Sequence, residues 1–224
     1  MDPVALTALM VAAARAREHE RPDRLFSDPY AAALVGEQGA GLLAEVERAS
    51  GDTHGNPYLS VRVRFFDDLL LEAVSSTGLG QVVLLAAGMD TRAFRLPWPA
   101  GTQVYELDRP QVLASKDAIL QGMGAVARCT RHRLDVDLAR PWAQALAAAG
   151  FDRHTPSVWL AEGLLQYLDD AAVGHVLSQA TQLAAPGSVG GRQPGQRGVS
   201  HPSGDAAFSR GVRAAGRSLA VGDR

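Results

Sequence analysis

The chain has 224 residues, of which 46% are hydrophobic, 6% aromatic and 21% charged, an ordinary globular composition. The formal net charge of −2 argues against broad electrostatic binding to nucleic acid. The single cysteine, Cys129, excludes an internal disulfide, and no apolar run reaches the roughly 18 residues that span a bilayer. The six histidines lack metal-ligand spacing. We therefore expect a cytoplasmic protein with no metal site and no membrane or nucleic-acid partner.

Charge and glycine are unevenly distributed along the chain. Residues 1–189 carry 22 acidic and 16 basic side chains, whereas residues 190–224 carry 2 acidic and 6 basic ones and 8 of the 23 glycines. This last segment has too few large apolar residues to offset the entropy that it would lose on ordering. We therefore expect a disordered Gly/Arg-rich tail over 190–224, produced by a frameshift, by a degenerate C-terminus or as a natural flexible extension.

The first part of the chain is predicted to form helices. Three times a capping residue precedes a proline that would occupy the first helical position: Asp2-Pro3, Asp28-Pro29 and Asn56-Pro57. With the apolar periodicity, these starts predict four helices: 3–18, 29–35, 42–48 and 58–77. We expect residues 1–60 to form a helical cap.

From residue 82 onwards, short apolar runs alternate with helical segments of about 12 residues. The predicted strands are 82–86, 102–107, 127–134 and 157–161, and the predicted helices are 110–121, 138–149 and 169–184. Such alternation predicts βαβ units and a parallel sheet, here in an α/β domain over 61–189. The third strand contains three arginines and a histidine, which places it at an edge of the sheet.

Glycine or an acid follows each of the first two predicted strands. In open α/β sheets, ligands bind beyond the carboxyl ends of the strands, where these residues would meet. Gly88 permits a positive φ and a close approach of the backbone to a ligand, although a glycine after a strand more often forms only a turn. Asp108 lies 20 residues further on, where an acid can bind a ribose diol, but it could instead cap the next helix.

Acids also follow the third and fourth strands. Asp135 and Asp137 are both placed to hold the amino group of an adenine ring, and Asp137 could equally cap a helix that starts at Leu138. Glu162 faces the same crevice, where a carboxylate is costly unless it is used or paired. On the long helix, Arg62 is compatible with a solvated or paired side chain as well as with a role in the site.

The turn after the first strand discriminates between nucleotide cofactors. A dinucleotide fingerprint requires glycine at three positions that are occupied here by Ala86, Gly88 and Thr91. Asp90 would repel a pyrophosphate, so a nicotinamide-dependent oxidoreductase is disfavoured. S-adenosyl-L-methionine carries a sulfonium and an ammonium, which nearby carboxylates favour.

Six ordered segments carry a family resemblance: 24–30 (RLFSDPY), 61–68 (VRVRFFDD), 85–96 (LAAGMDTRAFRL), 105–110 (YELDRP), 136–138 (VDL) and 161–168 (AEGLLQYL). They closely resemble the leucine carboxyl methyltransferase-like family, which includes polyketide O-methyltransferases and many actinobacterial members. The resemblance covers about residues 1–189. It implies a class I methyltransferase with a Rossmann-like parallel sheet and an N-terminal helical cap, from which the C-terminal strands of the family are missing.

The resemblance also implies cofactor-binding roles for individual residues. Arg62 matches the arginine at the cofactor carboxylate, and Asp108 resembles the ribose-binding acid. Gly88 matches the second glycine of the family's turn, whereas Ala86 replaces the first glycine. That replacement is tolerable if the φ angle of Ala86 stays negative.

At the adenine, Asp137 and Leu138 resemble the family's pair, although Asp135 fits nearly as well by its spacing to Glu162. Glu162 is similar to the glutamate near the methyl donor. The implied activity is transfer of a methyl group from S-adenosyl-L-methionine to a carboxylate or hydroxyl of a small-molecule acceptor, by in-line displacement. No catalytic base is assigned, and the cap segments around 24–30 and 36–58 are expected to shape the acceptor pocket.

The tail leaves an alternative open. A chain that lacks the last strands would be a catalytically inactive remnant that at most binds the cofactor. In that case the fourth strand would lose its neighbours, and the chain would associate into homo-oligomers through the exposed sheet edge.

Overall fold

Two long helices precede the sheet. In the computed structural model, which describes residues 3–36, 41, 44–45, 57–192 and 212–214, helix α1 spans Pro3–Glu20 and helix α2 spans Pro57–Thr77. Residues 31–36 are also helical. Proline starts both long helices because its φ is preset and it has no N–H to leave unpaired. The helix expected over 42–48, and the cap segment expected to line the acceptor pocket over 36–58, lie mostly outside the described residues.

The described strands form one parallel sheet in the order β3-β2-β1-β4-β5-β6. Their bounds are β1 Gln81–Leu85, β2 Gln103–Asp108, β3 Thr130–Asp135, β4 Val158–Ala161, β5 Ser188–Arg192 and β6 Val212–Ala214. The parallel α/β sheet predicted from the sequence is therefore confirmed. Strand β3 lies at an edge, as its charged residues predicted.

Helices connect the strands. They are α3 Arg92–Arg95, α4 Pro110–Gly122, α5 Ala143–Ala148, a 3-10 helix over Leu165–Tyr167 and α6 Asp170–Leu183. Helix α5 begins five residues later than expected, for two local reasons. The Asp137 carboxylate accepts the Ala139 N–H in a turn, and Pro141 disfavours helical backbone at the residue before it.

The sheet extends beyond position 189, where the α/β domain was expected to end and a disordered tail to begin. Strand β5 contains Gly190 and Gly191, and glycine is disfavoured inside strands, so the sequence pattern does not show it. Packing explains the glycine: a Cβ at position 191 would lie 3.2 Å from Cε1 of Phe66 on α2. Strand β4 has neighbours on both sides, so the expectation that it loses them is wrong. Of the expected tail, residues 193–211 and 215–224 lie outside the described residues.

An apolar core lies on each face of the sheet, because successive strand residues point to opposite sides. Val82 and Leu84 of β1 face the first core, with α2 and α4, whereas Val83 and Leu85 face the second, with α5 and α6. Helix α1 packs against α2. Within the described ranges, we find no helix with both the length and the apolarity to cross a membrane.

Candidate functional site

A cavity of about 280 Å³ opens at the carboxyl ends of strands β1 to β4. It lies at the switch point of the sheet, where β1 has β2 on one side and β4 on the other. The lining includes all seven residues singled out from the sequence: Arg62, Ala86, Gly88, Asp108, Asp137, Leu138 and Glu162. Folding therefore brings together residues that are up to 100 positions apart in the chain.

The loop after β1 has an unusual backbone. Gly88 has a φ of 47°, which confirms the expected left-handed conformation. Ala86 also has a positive φ, 53°, so the condition that its φ stays negative is not met. An L-residue in this region costs roughly 1–2 kcal/mol, because its Cβ crowds the following carbonyl oxygen. Helix α1 covers the loop, since a Cβ at position 88 would lie 3.5 Å from the Cβ of Ala8.

Asp108 anchors this loop to β2. Its Oδ2 accepts the backbone N–H of Gly88 at 2.7 Å, and its Oδ1 accepts that of Arg109 at 2.7 Å. Helix α4 begins at Pro110 without a side-chain capping bond, so Asp108 does not cap it. An ionised carboxylate has about four acceptor positions, of which these two bonds use half.

Of the two acids at the carboxyl end of β3, Asp135 and Asp137, only Asp137 lines the cavity within the described part of the chain. Its Oδ1 accepts the N–H of Ala139 at 3.0 Å, in a turn beside Val136. Asp135 instead forms exposed ion pairs with Arg133, at 2.7 and 2.8 Å. The cavity is thus lined by Asp137 and not by Asp135, and the adenine contact of Asp137 stays a prediction.

Glu162, the residue that follows β4, forms ion pairs with two arginines. Its Oε1 accepts from Nε of Arg62 at 2.9 Å, and its Oε2 lies 2.8 Å from Nη2 of Arg92. Both arginine side chains are less than one tenth exposed. The carboxylate is therefore paired, as its burial requires.

Arg92 is the centre of a buried ion-pair network. Its Nε donates to Asp67 at 2.7 Å and its Nη1 to Asp90 at 2.5 Å, and Asp67 also binds Arg95 at 2.6 and 2.8 Å. Burial alone would lower the pKa of Arg92. The carboxylates of Asp90, Glu162 and Asp67 outweigh it and raise that pKa well above its ordinary value.

The network continues into α1. Arg15 donates to the Asp28 carboxylate at 2.6 Å, to the Thr91 hydroxyl at 2.8 Å and to the Met89 carbonyl at 2.5 Å. These bonds tie α1 to the loop after β1. Among the described residues, this network joins four cations to four anions: Arg15, Arg62, Arg92 and Arg95 with Asp28, Asp67, Asp90 and Glu162.

Asp90 does not act on a ligand as a free charge. Burial alone would raise the pKa of its carboxyl, but the positive charges of Arg92, Arg15 and Lys116 hold that pKa below its ordinary value. A carboxylate paired in this way repels a pyrophosphate less than the sequence argument assumed. A dinucleotide cofactor is therefore disfavoured by the two replaced glycines of the fingerprint, at Ala86 and Thr91.

Comparison with known proteins agrees with this arrangement. The leucine carboxyl methyltransferase family matches residues 8–181. The chain belongs to this family. Family membership, together with the parallel α/β sheet, confirms the predicted class I methyltransferase fold.

Two relatives are provisionally named S-adenosyl-L-methionine-dependent methyltransferases. The one from Parafrankia sp. is 48% identical over 190 residues, which cover 83% of this chain and 61% of the relative. The one from Mycobacteroides abscessus is 47% identical over 193 residues, which cover 84% of this chain and 62% of the relative. The chain thus spans less than two thirds of the length of either protein.

A solved structure supports the fold. The crystal structure of a DUF574 family protein from Streptomyces avermitilis superposes with a TM-score of 0.53 at 14% identity. The match covers 81% of this chain and 72% of that one. At this identity the likeness concerns the fold alone.

Sequence reasoning missed most of the charged network of this family member. Its members outside the predicted site are Arg15, Asp28, Asp67, Asp90, Arg92 and Arg95. Several lie inside the family motifs, so the motifs contained the information but not the pairing. Tyr167 was also missed, although it is 41% exposed and lines the cavity.

Proposed function

We propose that this chain is an S-adenosyl-L-methionine-dependent O-methyltransferase that acts on a carboxylate or hydroxyl of a small-molecule acceptor. The observation that carries the proposal is the convergence of all seven predicted residues on one cavity at the switch point of the sheet. The names of the two relatives support the cofactor. The family's name supports an oxygen acceptor.

The lining fits the chemistry of that cofactor. Asp108 has acceptor positions left for the two hydroxyls of a ribose, because its described bonds use one from each oxygen. Asp137 would accept from an adenine amino group, between the apolar side chains of Val136 and Leu138. Arg62 would bind a carboxylate through its guanidinium. When bound, the cofactor would supply an electrophilic methyl group on a sulfonium.

The remaining contribution of the chain is orientation and exclusion of water. Glu162 holds Arg62 and Arg92 in fixed directions through short ionic contacts. Ala8 and Val11 of α1 close one side of the cavity with apolar surface. A carboxylate acceptor is already anionic and needs no base, whereas a hydroxyl would have to lose its proton, and we assign no residue to that step.

The surroundings of the reaction are proposed on chemical grounds. We place the protein in the cytoplasm, where its single cysteine is suited to a reducing compartment. The net charge of −2 supports a small-molecule partner rather than a nucleic acid. Self-association through a sheet edge would use β3 or β6, because β4 is flanked by β1 and β5.

Calorimetric titration with S-adenosyl-L-homocysteine, followed by a methyl-transfer assay on carboxylate and phenol acceptors, tests the proposal. We expect Asp108→Ala to weaken binding by roughly 1–3 kcal/mol, because a buried hydrogen-bonding partner is removed. Asp137→Ala should also weaken binding, whereas its control Asp135→Ala, at a residue outside the cavity lining, should not.

The outcomes separate the two functions considered for this chain. Binding together with transfer supports the methyltransferase. Binding without transfer to any acceptor supports the alternative, a chain that only holds the cofactor. Absence of binding by the unaltered protein contradicts both.

A further inference from the structure

Lys116 is the only lysine of the chain and is fully buried. It lies on the inner face of α4 with Leu113 and Leu120, at a position where an apolar side chain would pack. Its Nζ lies 2.7 Å from Oε2 of Glu106 on β2, a side chain that is also fully buried. A buried ion pair is often no more stabilising than well-packed apolar residues of similar volume. The pair therefore calls for an explanation other than stability.

The pair is also imperfectly satisfied. Glu106 forms its described contacts through Oε2, which accepts from Lys116 and from Nη2 of Arg131, both at 2.7 Å. Its Oε1 is buried and has no hydrogen-bond partner within the described residues. An unsatisfied buried oxygen costs folding free energy. An ion pair with no role beyond stability would not be expected to retain this cost.

Lys116 reaches the loop after β1. Its Nζ donates to the backbone carbonyl of Asp90 at 3.2 Å. Two residues after Glu106, and on the same face of β2, Asp108 accepts the N–H of Gly88 in the same loop. Strand β2 thus holds the loop at two points, directly through Asp108 and indirectly through Lys116.

We propose that Lys116 and Glu106 are a positioning pair for the loop after β1. Glu106 holds the ammonium group, and the ammonium group holds the Asp90 carbonyl, so that the strained loop keeps the conformation that lines the cavity. Neither side chain lines the cavity itself. The effect on cofactor affinity rests on the proposed function, but the effect on the loop does not.

Arg131 provides a matched control. It contacts the same Glu106 oxygen from β3, but its described hydrogen bonds do not reach the loop. We expect Lys116→Met to weaken S-adenosyl-L-homocysteine binding by about ten-fold, the scale of one hydrogen bond to a charged group. In the ligand-free protein, Lys116→Met should also make the hydrogen–deuterium exchange of the backbone amides of residues 86–92 faster than in the unaltered chain. Arg131→Met should lower the unfolding temperature and leave both properties unchanged.

The double variant Glu106→Gln/Lys116→Met separates positioning from stability. It removes both charges of the pair, while Arg131 keeps Asp117 at 2.8 Å. We expect it to unfold at a higher temperature than Lys116→Met and still to show weak binding and fast loop exchange. Wild-type affinity and exchange in the double variant would overturn the inference, as would an equal loss of affinity in Arg131→Met. If the unaltered protein binds no S-adenosyl-L-homocysteine, the proposed function fails, and the exchange measurement still decides the positioning role.

Discussion

The two faces of the sheet are packed with different chemistry. On the face of α2, α3 and α4, aliphatic side chains and the rings of Phe66 and Trp98 surround buried ion pairs such as Arg92–Asp67 and Lys116–Glu106. On the face of α5 and α6, the core consists of aliphatic side chains and packed aromatic rings, with Phe151 5.6 Å from Trp159 between ring centroids. Burial of apolar surface is non-directional, whereas a buried ion pair requires partners in good geometry. The first face therefore sets the positions of side chains, and the second contributes mainly stability.

The cavity is where the two faces meet. Its charged lining, including Arg62 and Arg92, comes from the first face, whereas the apolar walls at Val136, Leu138 and Leu164 belong to the second. A ligand with a polar, charged end and a flat apolar ring matches this division. The comparison predicts that damage to the second face changes stability alone, and that damage to the first face also changes binding.

The largest expected effect is on the second face of the sheet, which packs against α5 and α6. Trp159 is 1% exposed, and its Nε1 donates to Ser157 at 2.9 Å. We expect Trp159→Ala to lower the free energy of unfolding by about 3–5 kcal/mol, measured by urea denaturation. The control is Trp142→Phe, which should cost less because Nε1 of Trp142 has no partner in the described structure. A large loss of cofactor affinity in folded Trp159→Ala would contradict the division between the faces.

Removal of one buried charge is the next largest effect. Asp67 is 4% exposed in its side chain and binds both Arg92 and Arg95, so Asp67→Asn leaves two buried cations undercompensated. We expect a loss of roughly 3 kcal/mol in the free energy of unfolding, together with weaker S-adenosyl-L-homocysteine binding. The neighbouring Asp68→Asn breaks only the exposed pair with Arg64 and should cost below about 1 kcal/mol. Equal costs for the two variants would contradict the importance of burial.

Low pH should selectively destabilise the first face of the sheet. The pKa of Asp90 lies below its ordinary value of 3.8, because Arg92, Arg15 and Lys116 outweigh the effect of burial. A depressed pKa in the folded state contributes stability above pH 3.8, and this contribution is lost as pH falls through the folded-state pKa. We expect Asp90→Asn to unfold with a shallower loss of stability between about pH 5 and pH 3 than the unaltered chain. If the free energy of unfolding, measured by urea denaturation, depends on pH in the same way in both proteins, Asp90 does not contribute to the acid sensitivity.

The smallest expected effect concerns the strained loop. Ala86→Gly removes a left-handed L-residue at a cost in chain entropy, for a net gain of up to about 1 kcal/mol in the free energy of unfolding. The adjacent Ala87→Gly lies outside the left-handed region and should instead lose about 0.5–1 kcal/mol. Urea denaturation of both variants gives the sign of each change in the free energy of unfolding. A loss in Ala86→Gly would show that the loop is not strained at this residue.

Features that depend on local pattern could be predicted. The parallel sheet follows from apolar runs alternating with helical segments, and the edge position of β3 follows from its charges. Because strand ends in a parallel sheet share one edge, Gly88, Asp108 and Glu162 could be placed in one cavity before their distances were known.

Features that depend on distant partners could not be predicted. Arg62 and Glu162 form an ion pair across 100 residues of sequence, and nothing local to either side chain indicates the other. Strand β5 has weak strand propensity, and Gly191 is explained only by the approach of Phe66. The unusual position of Lys116 is visible in the sequence, since it occupies an apolar position in the pattern of Leu113 and Leu120. Its partner could not be predicted, because Glu106 lies on another element.

The sequence by itself determined the class of sheet, the family and the strand-end residues of the cavity, because periodicity and motifs are properties of short segments. Tertiary structure placed Asp137 rather than Asp135 in the cavity lining, paired Glu162 with two arginines, and gave Ala86 its positive φ. The physical reason is distance. Backbone preference acts over a few residues, whereas the cost of burying a charge is met only by partners that folding brings into contact.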